Sequence, residues 1–215
     1  MTSLSSTYPD ALVQAPLVVA ITGASGSVIG FRFVKAALQM GIPVELVMTE
    51  KSLQVIHDEL DYKVTGHTEE DKAIRLLEHL KLPSDAPLKF FGNHRLDAPP
   101  ASGTHLTRGM VIVPCSMGTL GRIAAGIGDN LVARSADVTL KEGRPLVLVP
   151  RESPLNQIHL RNMLTLSQAG AHMVPPMLTF YLKDFSSVDG QVNYVLGKIF
   201  DVLRIPHQLS ARWGQ

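Results

Sequence analysis

The sequence predicts an α/β protein with an open, doubly wound parallel sheet of the Rossmann-like or flavodoxin-like kind, arranged in three α/β/α layers. Four short segments are apolar and rich in β-branched residues, as strands buried on both faces of a sheet are, and they cover residues 17–22, 43–49, 110–114 and 145–150. Segments with helical periodicity lie between them. Strands that alternate with helices form parallel sheets through right-handed crossovers.

Helical periodicity is clear in three places. Leu53, Ile56 and Leu60 recur at i, i+3 and i+7, which places them on one face of a helix. A second amphipathic segment includes residues 160–164, and a third, from about residue 188 to 203, is the last periodic segment of the chain. These segments are predicted to cover the faces of the sheet.

A single domain is expected over residues 17–215, preceded by a flexible tail over residues 1–16. No internal repeat, low-complexity tract or shift in composition marks a second domain. The stretch from Lys81 to Gly103 contains several Pro and Asp residues and is expected to be a long irregular connection. Irregular connections of this length in a compact domain are more often functional than mere linkers.

Composition and charge favour a protein that acts on small molecules. The chain is 45% hydrophobic and 18% charged, and its formal net charge is +1. No run of Lys or Arg stands out, so a nucleic-acid or membrane-surface partner is not expected. Neither a basic leader nor an apolar segment long enough to span a membrane is found, and we expect a cytoplasmic protein.

Cysteine and histidine usage indicates neither disulfides nor a metal centre. Cys115 is the single cysteine, so an intramolecular disulfide and a multi-cysteine zinc site are both excluded. A small buried side chain is its commoner role, with a nucleophile as the alternative. His57, His159 and His172 lack the spacing of metal ligands and are interpreted as structural or surface residues.

The segment TGASGSVIG follows the first predicted strand. Gly23 and Gly26 permit a tight turn and a close approach of the backbone, and Ser25 places a hydroxyl at the start of a helix. Phosphate binding is the interpretation, and a turn without ligand is the alternative. The spacing, with the third glycine at Gly30, is neither the dinucleotide fingerprint nor a Walker A loop. The spacing therefore does not favour binding of NAD.

Polar residues also follow the other predicted strands. Thr49 ends the second strand, residues 116–119 follow the third, and Arg151 and Glu152 follow the fourth. The carboxyl ends of parallel strands meet at one edge of the sheet, where ligands of such sheets bind. The alternative for Ser116 is that it caps the helix that begins nearby.

From about Leu17 to Trp213 the chain resembles the flavin prenyltransferases, which make prenylated FMN for a partner decarboxylase of the ubiquinone pathway. The resemblance is carried by the motifs TGASG, APPASG (98–103), PCSMGTL, DNLVARSADVTLKEGRPLVLVPRE (129–152) and RWG (212–214). LKEGRPLVLVPRE is the most specific of these motifs, whereas TGASG alone is common.

The resemblance implies roles for individual residues. The FMN site would comprise Gly23, Ala24, Ser25, Thr49, Ser116, Met117, Gly118, Thr119 and Arg151. The phosphate of dimethylallyl monophosphate would be bound by Arg134, Lys141, Tyr181 and Lys198. Glu59 and Glu152 match acidic groups around flavin N5, and Trp213 matches an aromatic residue near the prenyl chain. Ile29 stands where the family can have Tyr, and Lys198 where it can have Arg.

The chemistry of prenyl transfer agrees with these roles. Breaking an allylic C–O bond leaves negative charge on the phosphate, which Arg134, Lys141 and Lys198 would stabilise, while water is kept from the prenyl group. Proton release from the flavin requires a nearby acid or base, for which Glu152 is the better candidate. Partial burial is expected to raise the pKa of Glu59. The alternative is that these are ordinary charges on helix surfaces.

The family forms large homo-oligomers, and the resemblance implies a dodecamer. Tyr181, Lys198 and Trp213 lie far along the chain from Gly23, and we expect the site to be formed at a subunit junction that the RWG tail helps to close. Two other functions remain open at this point. One is an FMN-dependent cysteine decarboxylase of the same architecture, and the other is a flavin carrier without catalytic activity.

Overall fold

The structure is a computed structural model that describes residues 14–180 and 186–209. Within these residues six strands form one sheet: β1 (Leu17–Ile21), β2 (Val44–Met48), β3 (Leu88–Gly92), β4 (Met110–Cys115), β5 (Leu146–Pro150) and β6 (His172–Met173). The four strands predicted from the sequence are β1, β2, β4 and β5. All four are completely buried along their length, as the apolar patterns indicate.

The helices of the described residues occupy the connections between strands. They are α1 (Ser27–Gln39), α2 (Glu50–Leu60), α3 (Glu69–Leu80), α4 (Met117–Ala124), α5 (Leu131–Lys141), α6 (Gln157–Gln168) and α7 (Val188–Val202). A single 3₁₀ turn at Pro99–Ala101 precedes β4. The three segments of predicted helical periodicity correspond to α2, α6 and α7.

The sheet has the strand order β3-β2-β1-β4-β5-β6, and every neighbouring pair is parallel. The order reverses between β1 and β4, where Val18 pairs with Met110 and Ala20 with Ile112. This is the doubly wound order of Rossmann-like proteins. The predicted fold class is confirmed.

The prediction that Lys81 to Gly103 is irregular is wrong in part, because this stretch contains β3 and the 3₁₀ turn. β3 pairs with β2 alone, so one side of the strand lies at the edge of the sheet. Its burial is accordingly mixed, with Leu88 and Phe90 buried and Lys89 exposed. An edge strand therefore lacks the continuous apolar run that reveals the central strands. β6 has two residues and is too short to give a pattern.

Two apolar clusters cover the two faces of the sheet. One packs α1, α2, α3 and α7 against the strands, and within it the Phe33 ring stacks on the Phe200 ring with 4.8 Å between centroids. The other packs α4, α5 and α6 against the opposite face. The three predicted α/β/α layers are thereby formed, and the strand ends are left as the places where polar groups gather.

The described part of the predicted tail is packed against the domain. Ala15 is buried, and the Pro16 carbonyl accepts a hydrogen bond of 2.9 Å from the Arg108 N–H. Residues 1–13 lie outside the described residues. In the part of the chain that the structure describes, no helix combines the length and the apolar character needed to cross a membrane.

Candidate active site

The crevice between β1 and β4 lies at the carboxyl edge of the sheet, where the strand order reverses. The buried Thr22 hydroxyl donates to the Pro114 carbonyl at 2.9 Å and accepts from the Ser116 N–H at 2.8 Å. Thr22 thus fixes the loop after β4 against the loop after β1. This role of Thr22 was not predicted, since its one signal in the sequence is a hydroxyl residue at the end of an otherwise apolar strand.

The loop after β1 is as compact as its glycines predict. A side-chain carbon at Gly23 would lie 2.7 Å from Lys51 Cβ in α2, so only glycine fits there. Gly26 has a φ of 102°, which lies in the left-handed region that favours glycine, and it precedes α1 directly. The turn therefore presents the backbone N–H groups that begin α1.

Glu59, the penultimate residue of α2, binds these N–H groups. Its carboxylate accepts from Gly26 N–H at 3.0 and 3.1 Å and from Ser27 N–H at 2.8 Å. Burial of the carboxyl acts to raise its pKa, but hydrogen bonds from the Ser25 side chain and from the backbone of Ser27 and Gly26 outweigh burial, and the pKa of Glu59 is lowered. The expected upward shift is wrong, because the carboxylate lies at a helix amino terminus that stabilises negative charge.

The Glu59→Gln variant is expected to be less thermally stable than the parent protein near neutral pH. Because the pKa of Glu59 is lowered on folding, the ionised carboxylate stabilises the folded state above the pKa of the unfolded chain, and this contribution is lost as the pH falls through the lowered pKa. Thermal melts of both proteins without flavin, from neutral to acid pH, should show a difference in melting temperature that shrinks on acidification. A difference that is constant with pH would contradict the assignment.

Thr49 and Ser116 are helix caps at the carboxyl edge. Thr49 Oγ1 accepts from Ser52 N–H at 3.3 Å at the start of α2. Ser116 Oγ accepts from Thr119 N–H at 3.2 Å at the start of α4 and lies 3.0 Å from Thr119 Oγ1. The capping interpretation of Ser116 is confirmed. Both hydroxyls are held at the amino ends of helices, which is where anionic groups are bound.

Arg151 and Glu152 follow β5 at the same edge. Arg151 Nε donates to the Ser25 carbonyl at 3.2 Å, so the loops after β1 and β5 are joined directly. Glu152 is exposed, and its carboxylate accepts from Ser153 N–H at 3.1 Å. The predicted FMN residues and both acidic residues therefore surround one edge of the sheet.

Cys115 does not belong to this polar set. It ends β4 and is completely buried, and burial raises the pKa of its thiol to about 12. The interpretation as a small buried side chain is confirmed, because a nucleophilic cysteine requires an accessible thiolate. Among the described residues, no three His, Cys, Asp or Glu side chains are grouped as a metal site.

Lys141 lies at the opposite edge of the sheet. It is the last residue of α5, and the turn that follows leads to Pro145, whose carbonyl accepts from Met110 N–H at the start of β4. The amino end of α5 is fixed at the carboxyl edge by Asn93, which follows β3 and accepts from Leu131 N–H and Val132 N–H at 2.7 and 3.2 Å. α5 has 11 residues and is about 16 Å long, so one chain does not bring Lys141 to the crevice.

Arg134 and Lys141 both contact the segment of residues 101–107, which precedes β4. Arg134 Nε donates to the Ala101 carbonyl at 3.2 Å, and its guanidinium also binds Asp137 at 2.8 Å. Lys141 binds Glu142 at 2.5 Å, and its side chain is 47% exposed. Both cations are therefore partly open to solvent and accessible to a further ligand.

Of the other residues that were predicted to bind dimethylallyl monophosphate, the structure describes only Lys198. Tyr181 and Trp213 lie outside the described residues. Lys198 is exposed on α7, where its ammonium lies 3.8 Å from Asp201 and 5.4 Å from the centre of the Tyr194 ring. These contacts are within α7 and do not join Lys198 to the crevice.

A Rossmann-like α/β protein with hydroxyls, helix amino termini and an arginine around its switch point belongs to the class that binds phosphorylated cofactors. The family model described as Flavoprotein matches residues 5–200. The chain is 46% identical over 200 residues to the flavin prenyltransferase UbiX of Halalkalibacterium halodurans, with 92% of each chain covered. This chain belongs to the flavin prenyltransferases of the flavoprotein family.

Two solved structures share the fold over almost the whole chain. AnUbiX in complex with FMN and dimethylallyl pyrophosphate is 35% identical, with a TM-score of 0.81 and coverage of 94% of this chain and 98% of that chain. The dodecameric FMN-dependent UbiX-like decarboxylase of Escherichia coli O157:H7 is 39% identical, with the same TM-score and coverage of 93% and 100%. The FMN-dependent cysteine decarboxylase TvaF, at 17% identity and a TM-score of 0.55, shares the fold alone.

Proposed function

We propose that this protein transfers the dimethylallyl group of dimethylallyl monophosphate to N5 and C6 of reduced FMN, and that the prenylated FMN passes to a partner decarboxylase. The observation that carries the proposal is the 46% identity to a flavin prenyltransferase over nearly the full length of both chains. The resemblance of the strand-end motifs supports the same reaction.

The carboxyl edge fits FMN. The Glu59 carboxylate occupies the Gly26 and Ser27 N–H groups, so the hydroxyls of Thr49 and Ser116 and the amino end of α4 remain to bind the phosphate of FMN. Gly118, at the start of α4, has open space beside its α carbon, which permits close approach of a ligand. The residues proposed to bind FMN are Gly23, Ala24, Ser25, Thr49, Ser116, Met117, Gly118, Thr119 and Arg151.

The proposed chemistry requires a clamp on the leaving phosphate and a proton acceptor near the flavin. When bound, reduced FMN supplies the nucleophilic N5 and C6 of its ring. Arg134, Lys141 and Lys198 stabilise the phosphate as its negative charge develops, and Tyr181 donates a hydrogen bond to it. Glu152 accepts a proton, while Glu59 is held ionised at the start of α1. Trp213 shields the prenyl chain from water.

These groups are proposed to meet between subunits. Lys141 lies at the amino edge of its own chain, so the Lys141 that serves a given crevice belongs to a neighbouring copy. A relative that is 39% identical is dodecameric, and we propose the same assembly here. Exposed apolar side chains support this assembly, because contacts between subunits would remove them from water. Those that are more than 60% exposed in the single chain include Ile158, Met177, Leu178, Phe180 and Val188.

Light scattering of the purified protein is expected to give a mass many times that of the 23.4 kDa chain. Removal of residues 212–215 is expected to abolish turnover while leaving the protein folded, because the RWG tail is proposed to close the site. An active monomer, or full turnover without the tail, would contradict the shared site.

The product, the compartment and the donor are further parts of the proposal. A partner decarboxylase of the ubiquinone pathway is proposed to receive the prenylated FMN, in the cytoplasm. The monophosphate is proposed as donor from the family resemblance. The AnUbiX structure with dimethylallyl pyrophosphate makes the diphosphate the natural competitor to test beside it.

The decisive measurement is the mass of the flavin released after incubation with reduced FMN and dimethylallyl monophosphate. A product heavier than FMN by one dimethylallyl unit is expected, together with stoichiometric FMN binding and no retention of NAD. Unchanged FMN would refute the transfer reaction. Release of carbon dioxide from a peptide with a C-terminal cysteine would favour the decarboxylase alternative, and bound FMN with neither activity would favour a carrier.

A further inference from the structure

Glu45 is a carboxylate in the middle of a buried strand. It is the second residue of β2, is 2% exposed, and is the only buried Asp, Glu, Lys or Arg among the described residues. Its two oxygens lie 3.0 and 2.9 Å from His105 Nε2. A buried carboxylate is costly unless it is paired, so the contact with His105 is required for Glu45 to occupy this position.

His105 belongs to the segment of residues 101–107, and Arg144 holds the backbone of that segment from the other side. The Arg144 guanidinium donates to the His105 carbonyl at 2.7 Å and to the Gly103 carbonyl at 2.8 Å, with a longer bond of 3.3 Å to Thr107 Oγ1. The segment is thus fixed to β2 by one side chain and to the turn after α5 by another.

The same segment contacts both cations of α5 that are proposed to bind the donor phosphate. Arg134 Nε donates to the Ala101 carbonyl. At Gly103 a side-chain carbon would lie 2.8 Å from Lys141 Nζ and would also collide with the Glu142 carboxylate. The absence of a side chain at Gly103 therefore leaves the space in which the Lys141 ammonium lies.

We propose that the hydrogen-bonded pair of Glu45 and His105 is a positioning device for the donor phosphate site. It fixes residues 101–107 on the sheet, and through the Ala101 carbonyl and the space above Gly103 it sets the positions of Arg134 and Lys141. The inference rests on the proposed function, in which these two cations bind dimethylallyl monophosphate. Glu45 and His105 act through other residues and do not touch the substrate.

The first test compares the parent protein with two full-length double variants and one control variant. Glu45→Leu combined with His105→Leu removes both partners without leaving a buried charge unpaired, so the fold is expected to persist. The KM for dimethylallyl monophosphate is expected to rise roughly tenfold or more, because small displacements of binding groups are costly, while the Kd for FMN stays unchanged. Glu45→Gln combined with His105→Gln restores a neutral hydrogen-bonded pair and is expected to recover most of the lost affinity.

Arg95→Gln is the matched control. Arg95 lies in the same connection between β3 and β4, but at the carboxyl edge. It forms ion pairs with Asp97 in that connection and with Glu69 at the start of α3. Its loss is expected to leave the donor KM unchanged. A donor KM in the double leucine variant equal to that of the parent, or equal shifts in the donor KM and the FMN Kd, would overturn the inference.

Gly103→Ala tests the proposed link between residues 101–107 and Lys141 without altering Glu45 or His105. The atoms that the new methyl group displaces are the ends of the Lys141 and Glu142 side chains, so the fold is expected to tolerate it. The donor KM should rise while the melting temperature and the FMN Kd are maintained, and an unchanged KM would contradict the role of Gly103. If the parent protein itself shows no turnover, the proposed function fails; normal parent turnover with unaffected variants refutes the positioning role alone.

Discussion

Lys141→Ala is expected to lower kcat by about 10²-fold, as loss of one donor to a developing negative charge typically does, and to raise the KM for dimethylallyl monophosphate. The ammonium interacts more strongly with the phosphate as the C–O bond breaks than in the bound donor, so turnover and donor binding both suffer. FMN affinity should barely change, because Lys141 is proposed to bind the phosphate of the prenyl donor and is not among the residues proposed to bind FMN. Single-turnover spectra with reduced FMN provide the measurement.

Lys63→Ala is a suitable control for Lys141→Ala, because Lys63 is an exposed lysine in the connection after α2. A wild-type rate in Lys141→Ala would refute the assigned role.

Co-assembly of Lys141→Ala chains with Glu152→Gln chains tests the shared site directly. Because each crevice is proposed to take its Lys141 from a neighbour, some mixed crevices have both residues intact and should regain activity. Mixed assemblies no more active than either parent variant would place both residues in one subunit.

Glu152→Gln is expected to slow conversion of FMN by about 10²-fold or more while both ligands remain bound. Glutamine preserves the shape and hydrogen-bonding capacity of the side chain but cannot accept the proton released from the flavin. The carboxylate is exposed at the end of β5 and accepts a hydrogen bond from the N–H of the adjacent residue Ser153, so the substitution should not disturb the fold. Rapid-mixing spectra and binding titrations of the same preparation separate the rate from the affinities.

Glu78→Gln serves as the control for Glu152→Gln, since Glu78 is an exposed carboxylate on α3 and remote from the strand ends. If both substitutions leave the rate at the parental value, Glu152 is an ordinary surface charge and the proton must go elsewhere, for example to the departing phosphate. A parallel loss of FMN binding in Glu152→Gln would show that its role is in binding and not in proton transfer.

Much of the fold could be predicted because central parallel strands have a strong signature. β1, β2, β4 and β5 are buried on both faces, so each is a continuous apolar run. β3 was missed because an edge strand is half-exposed, and its Lys89 interrupts the pattern. Glu45 shows the converse: a carboxylate persists in a buried strand because it is hydrogen-bonded to a partner 60 positions away in sequence, which no local pattern can reveal.

The site could be predicted only as far as its residues follow strand ends. Thr49, Ser116 and Arg151 lie at the carboxyl edge because parallel strands all end there. The direction of the Glu59 pKa shift could not be predicted, since it depends on N–H groups more than 30 positions away in sequence. The position of Lys141 at the other edge follows from the path of α5, which periodicity does not give.

The straight path of α5 from one edge of the sheet to the other has a consequence for how catalysis depends on concentration. In the proposed shared site, the FMN residues of one copy meet Lys141 of another, because these two groups lie at opposite edges of a single chain. Two copies can exchange these groups through one two-fold interface or pass them head to tail around a closed ring, and in either arrangement a complete site requires contact between copies. Specific activity should therefore fall on dilution as closed assemblies dissociate, although every chain remains folded.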